Sequence, residues 1–292
     1  MNKPVFRFAP SPNGRLHLGH AFSALLNQEM AKQLNAKFLL RIEDTDLGRC
    51  TPVLEQRMLE DLQWLGIEWD EEPLRQSDNI KTYEEVIHTL QSEGLVYPAF
   101  MSRSQIKNYI GAQEENGIAW PRDPDGSPLY PDVDKNLSED ESEQRIANGD
   151  QYALRLDMQK AMAFVGQEMH WVENFEGPKE ETGTIKAKPK DWGDIILSRK
   201  DSPASYHLAC VTDDAMQGIT HVVRGRDLFW STSVHLLLQA LMGFPTPQYF
   251  HHDLILDENN RKLSKSNNDT SIAELRSAGT SQTDIKKMIG LI

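Results

Sequence analysis

The hydrophobic pattern changes period several times in the N-terminal third of the chain. Val5 to Phe8 is a short apolar run that stops at Pro10, Pro12 and Gly14. Two prolines and a glycine forbid regular structure there, so a strand must give way to a loop. Leu18, Phe22, Leu25, Leu26, Met30 and Leu34 then recur at helical spacing, and Phe38 to Ile42 reads as a buried strand. Strand, helix and strand in succession predict a βαβ unit of an open parallel sheet. A second helix is expected from Thr51-Pro52, a cap followed by proline at the first helical position, to near Gly66. A third runs from about Asn79 to Gly94.

After Tyr97-Pro98 the texture changes. Residues 98–190 are polar, rich in proline, glycine and acidic groups, and weakly periodic. So long a stretch without a core of its own would be unusual as a loop, and the apolar segments Tyr152 to Leu156 and Met162 to Val165 suggest a small inserted domain. Regular structure resumes at Asp194 to Arg199 and Ser205 to Thr212. A strand at His221 to Val223 and a helix from about Leu228 to Leu241 follow. The last segment carries a turn at Glu258-Asn259-Asn260, then Lys262-Leu263-Ser264-Lys265-Ser266, then a short helix with Ser271 and Glu274 as a capping box. The expected organisation is a catalytic α/β domain from 1–97 and 191–256, an insertion at 98–190, and a C-terminal helical segment at 257–292.

Composition narrows the function. The 292 residues include 31 basic and 44 acidic ones, a formal net charge of −13. That balance argues against broad electrostatic binding of nucleic acid but leaves room for a local basic groove. The two cysteines, Cys50 and Cys210, lie far apart, so neither a disulfide framework nor a cysteine-rich zinc site is expected. No apolar stretch approaches the length of a membrane span, and Met1 to Pro4 leads into no apolar run of the secretory kind. The expectation is a cytoplasmic protein without a membrane partner.

Two motifs carry chemistry. His17-Leu18-Gly19-His20 stands where the first strand gives way to the first helix. Two histidines one turn apart can donate hydrogen bonds to a phosphate at a helix N-terminus, and the glycine lets a nucleotide approach the backbone. Such donors stabilise charge developing on a phosphoryl group. Lys262 and Lys265 flank Ser264 after a tight turn and can converge on a polyphosphate. Alone, the histidine pair serves packing as readily as catalysis, and the lysine pair reads as a solvated loop; together they favour a phosphate site.

Arg7 through His20 resembles the first signature of class I glutamyl-tRNA synthetases, Arg41-Ile42-Glu43-Asp44-Thr45-Asp46 their second strand motif, and Lys262 to Ser266 their KMSKS loop with leucine for methionine. Ser205 to Ala209 and Gly218 to Gly225 fit between them in the family's order. The resemblance implies a Rossmann-type parallel sheet split by an α+β insertion resembling an acceptor-end-binding domain, with a short helical C-terminal stub. It implies activation of L-glutamate with ATP and Mg²⁺. It places Arg7 and Arg224 at the substrate's side-chain carboxylate, Tyr206 in hydrogen-bond contact, Glu43 at the α-ammonium, and Ala9 and Ser11 along the wall. His17, His20, Lys262 and Lys265 would be the catalytic groups; these, with Gly19, Leu263 and Ser264, would bind ATP.

Arg224 stands where the glutaminyl branch lacks an arginine, and an amide there would leave guanidinium donors poorly paired, so glutamate is expected. Only a short tail follows Ser266, where standard glutamyl-tRNA synthetases continue into an anticodon-binding region. The chain therefore resembles the short paralogues, the glutamyl-Q tRNA(Asp) synthetases, which attach glutamate to queuosine in an anticodon. The partner implied is the anticodon stem-loop of tRNA(Asp), and a monomer is expected. Many of these paralogues hold zinc with Cys-x-Cys and a later Tyr-x3-Cys; this chain has Ala99, Met101, Tyr130 and Asp134 there. No structural zinc is expected. The competing readings are a truncated glutamyl-tRNA synthetase charging a 3′ end, a small-molecule nucleotidylyltransferase, and a non-catalytic RNA-binding paralogue.

Overall fold

The computed structural model describes residues 3–199, 201–257, 261, 263 and 270–292. In chain order the elements begin with β1 (Val5–Phe8), α1 (Leu18–Gln33), β2 (Lys37–Ile42), α2 (Pro52–Trp64), β3 (Leu74–Arg75), α3 (Ile80–Ser92) and β4 (Val96–Ala99). Next come α4 (Arg103–Glu115), α5 (Glu139–Ala147), β5 (Ala153–Leu156), α6 (Met158–Val165), β6 (His170–Glu173) and β7 (Gly183–Lys186). The chain continues with β8 (Ile196–Arg199), α7 (Tyr206–Met216), β9 (His221–Gly225), α8 (Thr232–Met242), β10 (Gln248–His252), α9 (Ile272–Ser277) and α10 (Gln282–Met288).

The main sheet has seven strands in the order β3-β2-β1-β9-β10-β6-β7. All neighbours pair parallel except β6 and β7, which run antiparallel. Its central strands are covered on both faces, as the continuous apolar run in β2 requires. Phe38, Leu40 and Ile42 turn to one face, packing with Phe6, Leu25 of α1, Leu62 of α2, Ile272 and Ile285. Leu39 turns to the other, among Tyr83 of α3, Leu208 of α7 and Leu237 of α8. Burying each such side chain contributes roughly 1.5–3 kcal/mol.

The chain leaves β1 through α1 to β2 on one side and returns much later as β9 on the other. Such a switch of winding direction opens a crevice at the carboxyl ends of the strands, where open α/β sheets bind ligands. The α/β class and the β1-α1-β2 unit agree with the sequence reading.

The expected boundaries at 97/98 and 190/191 do not coincide with the sheets. β4, β5 and β8 form a separate three-stranded antiparallel sheet, in which β4 straddles the 97/98 boundary and β8 follows the 98–190 segment. Conversely β6 and β7, inside that segment, join the main sheet, with Tyr249 of β10 opposite Glu173. Trp171 of β6 and Trp192 belong to the same core as α3, α7 and α8. The hydrophobic face of β6 is thus buried by the catalytic layer rather than within an island. The helix expected from Leu228 begins at Thr232, after a short 3-10 turn at Arg226–Leu228.

Candidate active site

A cavity of about 690 Å³ opens at the carboxyl ends of the central strands. Arg7, Ala9, Ser11, Glu43, Tyr206 and Arg224 all line it. His17, Gly19, His20 and Leu263 line the same space. Ala9 and Ser11 follow β1, Glu43 follows β2, and Arg224 lies one residue before the end of β9, so the sheet's parallel register gathers them. Lys262, Ser264 and Lys265 lie outside the described residues.

His17 and His20 are held by the start of α1. Nδ1 of His17 accepts from the Gly19 backbone N–H at 3.2 Å, and Nδ1 of His20 accepts from the His17 N–H at 3.2 Å. These are the reciprocal bonds of a capping box, made by imidazoles. Because Nδ1 accepts in both rings, the ring proton sits on Nε2. The two rings, with centroids 3.9 Å apart, therefore carry donors beside a helix N-terminus, which is what an anionic phosphate requires.

Arg7 is buried and turned to the α7 face of the sheet. Its Nε donates to Asp214 Oδ1 at 3.0 Å, and Arg41, on the same face of β2, donates Nη1 to that oxygen at 2.7 Å. Burial opposes charge on all three groups. The ion pairing wins: both guanidinium pKa values are raised, and Asp214 is held below the usual carboxylate range. Glu43 is different. Burial raises its carboxyl despite Arg41, whose Nη2 lies 3.4 Å away. Cys210, whose thiol burial pushes up to about 12, is an unreactive member of this cluster.

Arg224 is bonded to neutral groups. Nε donates to His251 Nε2 at 3.0 Å, Nη1 to His235 Nδ1 at 3.2 Å and to the Tyr206 hydroxyl at 3.4 Å. Nη2 donates to the Leu228 carbonyl at 3.1 Å and the Thr232 hydroxyl at 2.7 Å. Burial, followed by the field of Arg224, lowers His235 well below the ordinary histidine value and His207 to about 4, so both are neutral.

The adjacent His251 and His252 end β10. Both are buried, at 1% and 6% exposure, because β10 runs between β9 and β6. That strand went unrecognised: Tyr249-Phe250-His251-His252 has no apolar alternation to betray it. Asp214, His235, His251 and Glu173 were missed for the same kind of reason. Their partners are remote in sequence, and a polar residue inside a helix or strand reads locally as a solvated face.

The positions aligned with a zinc site do not fit one. Asp134 Oδ2 accepts from the Phe100 N–H at 2.8 Å and also from the Tyr130 hydroxyl, and Ala99 offers no donor atom. Arg155 stacks 3.8 Å over the Tyr130 ring. One carboxylate already serving as a hydrogen-bond hub, beside a cation, is not a tetrahedral thiolate set. Among the described residues no group of three or more His, Cys, Asp or Glu could hold a metal ion. No helix there is long and apolar enough to cross a membrane.

The family model described as tRNA synthetases class I (E and Q), catalytic domain, matches residues 4–291. The chain is 41% identical over 291 residues to a glutamyl-Q tRNA(Asp) synthetase of Rhodobacter capsulatus, covering 98% of this chain and 100% of that one. It is 35% identical to a glutamate–tRNA ligase of a Synechococcus strain, covering 98% of this chain but 56% of the relative. Among solved structures, a glutamate tRNA ligase from Elizabethkingia meningosepticum in complex with its amino acid superposes with a TM-score of 0.74 at 29% identity, covering 91% of this chain and 52% of that one. The chain thus spans about half the length of these glutamate–tRNA ligases. With a parallel sheet, an imidazole-capped α1 at its switch point and a match along almost the whole length, the chain belongs to the catalytic-domain family of the class I tRNA synthetases for glutamate and glutamine, and is a ligase.

Proposed function

We propose that the protein activates L-glutamate with ATP and transfers it to queuosine in the anticodon loop of tRNA(Asp). The observation that carries this reading is the convergence of Arg7, Glu43, Tyr206 and Arg224 with His17 and His20 on one cavity. Full-length similarity to a protein named for that activity supports it.

Arg7, Arg224 and Glu43 in one cavity suit an amino acid with two carboxylates and an ammonium. In the proposed reaction an oxygen of the glutamate α-carboxylate attacks the α-phosphorus of ATP. The bond to the bridging oxygen breaks, and pyrophosphate leaves. A hydroxyl of queuosine then attacks the activated carbonyl, forming an ester and releasing AMP. Nε2–H of His17 and His20 would stabilise the charge growing on the phosphate, and Lys262 and Lys265 would meet the departing pyrophosphate. Mg²⁺ would arrive on the nucleotide, as it does where one or two carboxylates at most supplement phosphate oxygens. The 98–190 segment is proposed to contact the anticodon stem-loop, whose unpaired, splayed bases and phosphates offer a protein its grip.

Glutamate-dependent ATP–pyrophosphate exchange without RNA tests the first half, and glutamate transfer to tRNA(Asp) with and without queuosine tests the second. Exchange driven by another amino acid would sink the glutamate assignment. Transfer to the terminal adenosine of tRNA(Glu) would replace the queuosine assignment with conventional charging.

A further inference from the structure

Arg7 and Arg224, two of the arginines that line the cavity, are held in opposite ways. Arg7 shares a carboxylate with Arg41, so its charge is largely compensated within the protein. Among the described residues the five hydrogen bonds of Arg224 go to two imidazoles, two hydroxyls and a carbonyl, and none to a carboxylate. A buried guanidinium with fully satisfied donors but no counter-charge still favours an anion strongly, because the low-dielectric surroundings leave its field unscreened. The longest of its contacts, 3.4 Å to Tyr206, lies where both residues line the cavity.

His251 is what keeps that shell neutral and oriented. It stands directly opposite Arg224 across the parallel β9–β10 pair. Its Nδ1 lies 2.6 Å from Glu173 Oε2, and its backbone N–H donates to Glu173 Oε1 at 2.9 Å. Both side chains are fully buried. Glu173 also accepts from the Phe175 N–H at 3.1 Å and from Trp171 Nε1 at 3.4 Å. Four donors on one carboxylate hold it ionised, so the ring proton of His251 faces it at Nδ1. Nε2 is thereby left as an acceptor for Arg224.

We propose that Glu173 and His251 are positioning residues: the carboxylate fixes the imidazole tautomer, and the imidazole fixes Arg224 while withholding negative charge from it. The relay delivers an oriented, uncompensated guanidinium to the substrate's side-chain carboxylate and disfavours the amide. The proposal rests on the glutamate reading above and extends it to β6, a strand in the segment expected to form the insertion.

Two measurements test it. Nitrogen-15 NMR of the uniformly labelled wild-type protein at neutral pH should show the His251 ring protonated at Nδ1 and bare at Nε2, with the opposite tautomer in Glu173→Gln if the new amide turns its NH₂ to Nδ1. In pyrophosphate exchange, Glu173→Gln and His251→Leu should raise the KM for glutamate on the order of 10-fold or more. The KM for ATP should move less than about twofold and discrimination against glutamine should narrow. His251→Gln, whose amide can donate to Glu173 and accept from Arg224, should recover most of the loss. A role in packing alone predicts leucine tolerated at least as well as glutamine. A wild-type ring protonated at Nε2, or an unchanged glutamate KM in folded Glu173→Gln and His251→Leu proteins, overturns the relay. Should the wild type show no glutamate-dependent exchange, the glutamate reading fails, and the tautomer spectrum still decides whether the relay exists.

Discussion

At the scale of single residues, what distinguishes this cavity is where each charge is answered. Asp214 answers both Arg7 and Arg41, with side-chain exposures of 7%, 4% and 0%. Replacing it by asparagine removes the carboxylate bonded to Arg7 and leaves Arg41 to Glu43 and Asp213, at 3.4 and 3.8 Å. Removing one member of such a buried set typically costs about 3–5 kcal/mol. Asp214→Asn is therefore expected to lose stability of that order in urea denaturation; a loss under ~1 kcal/mol would mean the pairing is dispensable. Arg224 makes a separate case, because lysine cannot reproduce a fork that reaches His251, His235 and Thr232 together. Arg224→Lys should raise the glutamate KM on the order of 10-fold or more while leaving a folded protein. Titration of glutamate at saturating ATP checks it, and an unchanged KM would remove Arg224 from the substrate contacts.

At the scale of elements, the N-terminus of α1 joins stability to chemistry. Gly19 sits in the first turn, where alanine would ordinarily favour the helix by up to ~1 kcal/mol. Here an added Cβ would lie 3.1 Å from Cε1 and 3.2 Å from Nδ1 of His17. The ring would have to shift by a few tenths of an ångström, and the bond from the Gly19 N–H pins it. Gly19→Ala is expected to keep or slightly raise the melting temperature while lowering kcat for exchange at least ~10-fold. Equal activity with equal stability would separate His17 from the reaction. The C-terminal helices brace the same loop: the Ile272 N–H donates to the Leu16 carbonyl at 2.8 Å, and Ile272 and Ile285 are fully buried. The first strand-loop-helix unit was legible locally because its prolines, glycine and helical spacing are adjacent in sequence. β10 was not, because a strand flanked on both sides by other strands can bury histidines as well as leucines when partners are supplied.

For the whole molecule, the buried histidines make stability depend on pH. His207, His251 and His252 are each lowered from an ordinary 6.5 to about 4, with burial the leading cause. Between those values the unfolded chain binds protons that the folded chain refuses. Stability is therefore full above about 6.5 and falls on acidification, by up to about 1.4 kcal/mol per pH unit for each histidine. Glu43 and Asp213, raised by burial, act in the opposite sense above their ordinary carboxylate values. The melting temperature should drop between pH 7.5 and 5.5, within about two units' span of this titration; a flat profile would place these histidines in contact with water.

The sequence by itself determined the βαβ opening, the loop that carries His17 and His20, and the residue types gathered at the cavity. The first two follow from short-range periodicity and turn chemistry, and the last from the family resemblance that the ordered motifs carry. Only the tertiary structure decided who holds whom. Asp214 reaches Arg7 across 207 positions of sequence and Glu173 reaches His251 across 78. It also decided that β6 and β7 extend the main sheet, while β4 and β8 leave it for a smaller one. Local pattern reports which apolar residues are buried, because their burial follows from polarity and spacing. The identity of the group that neutralises a buried charge is set by strand order and register, which depend on contacts distant in the chain.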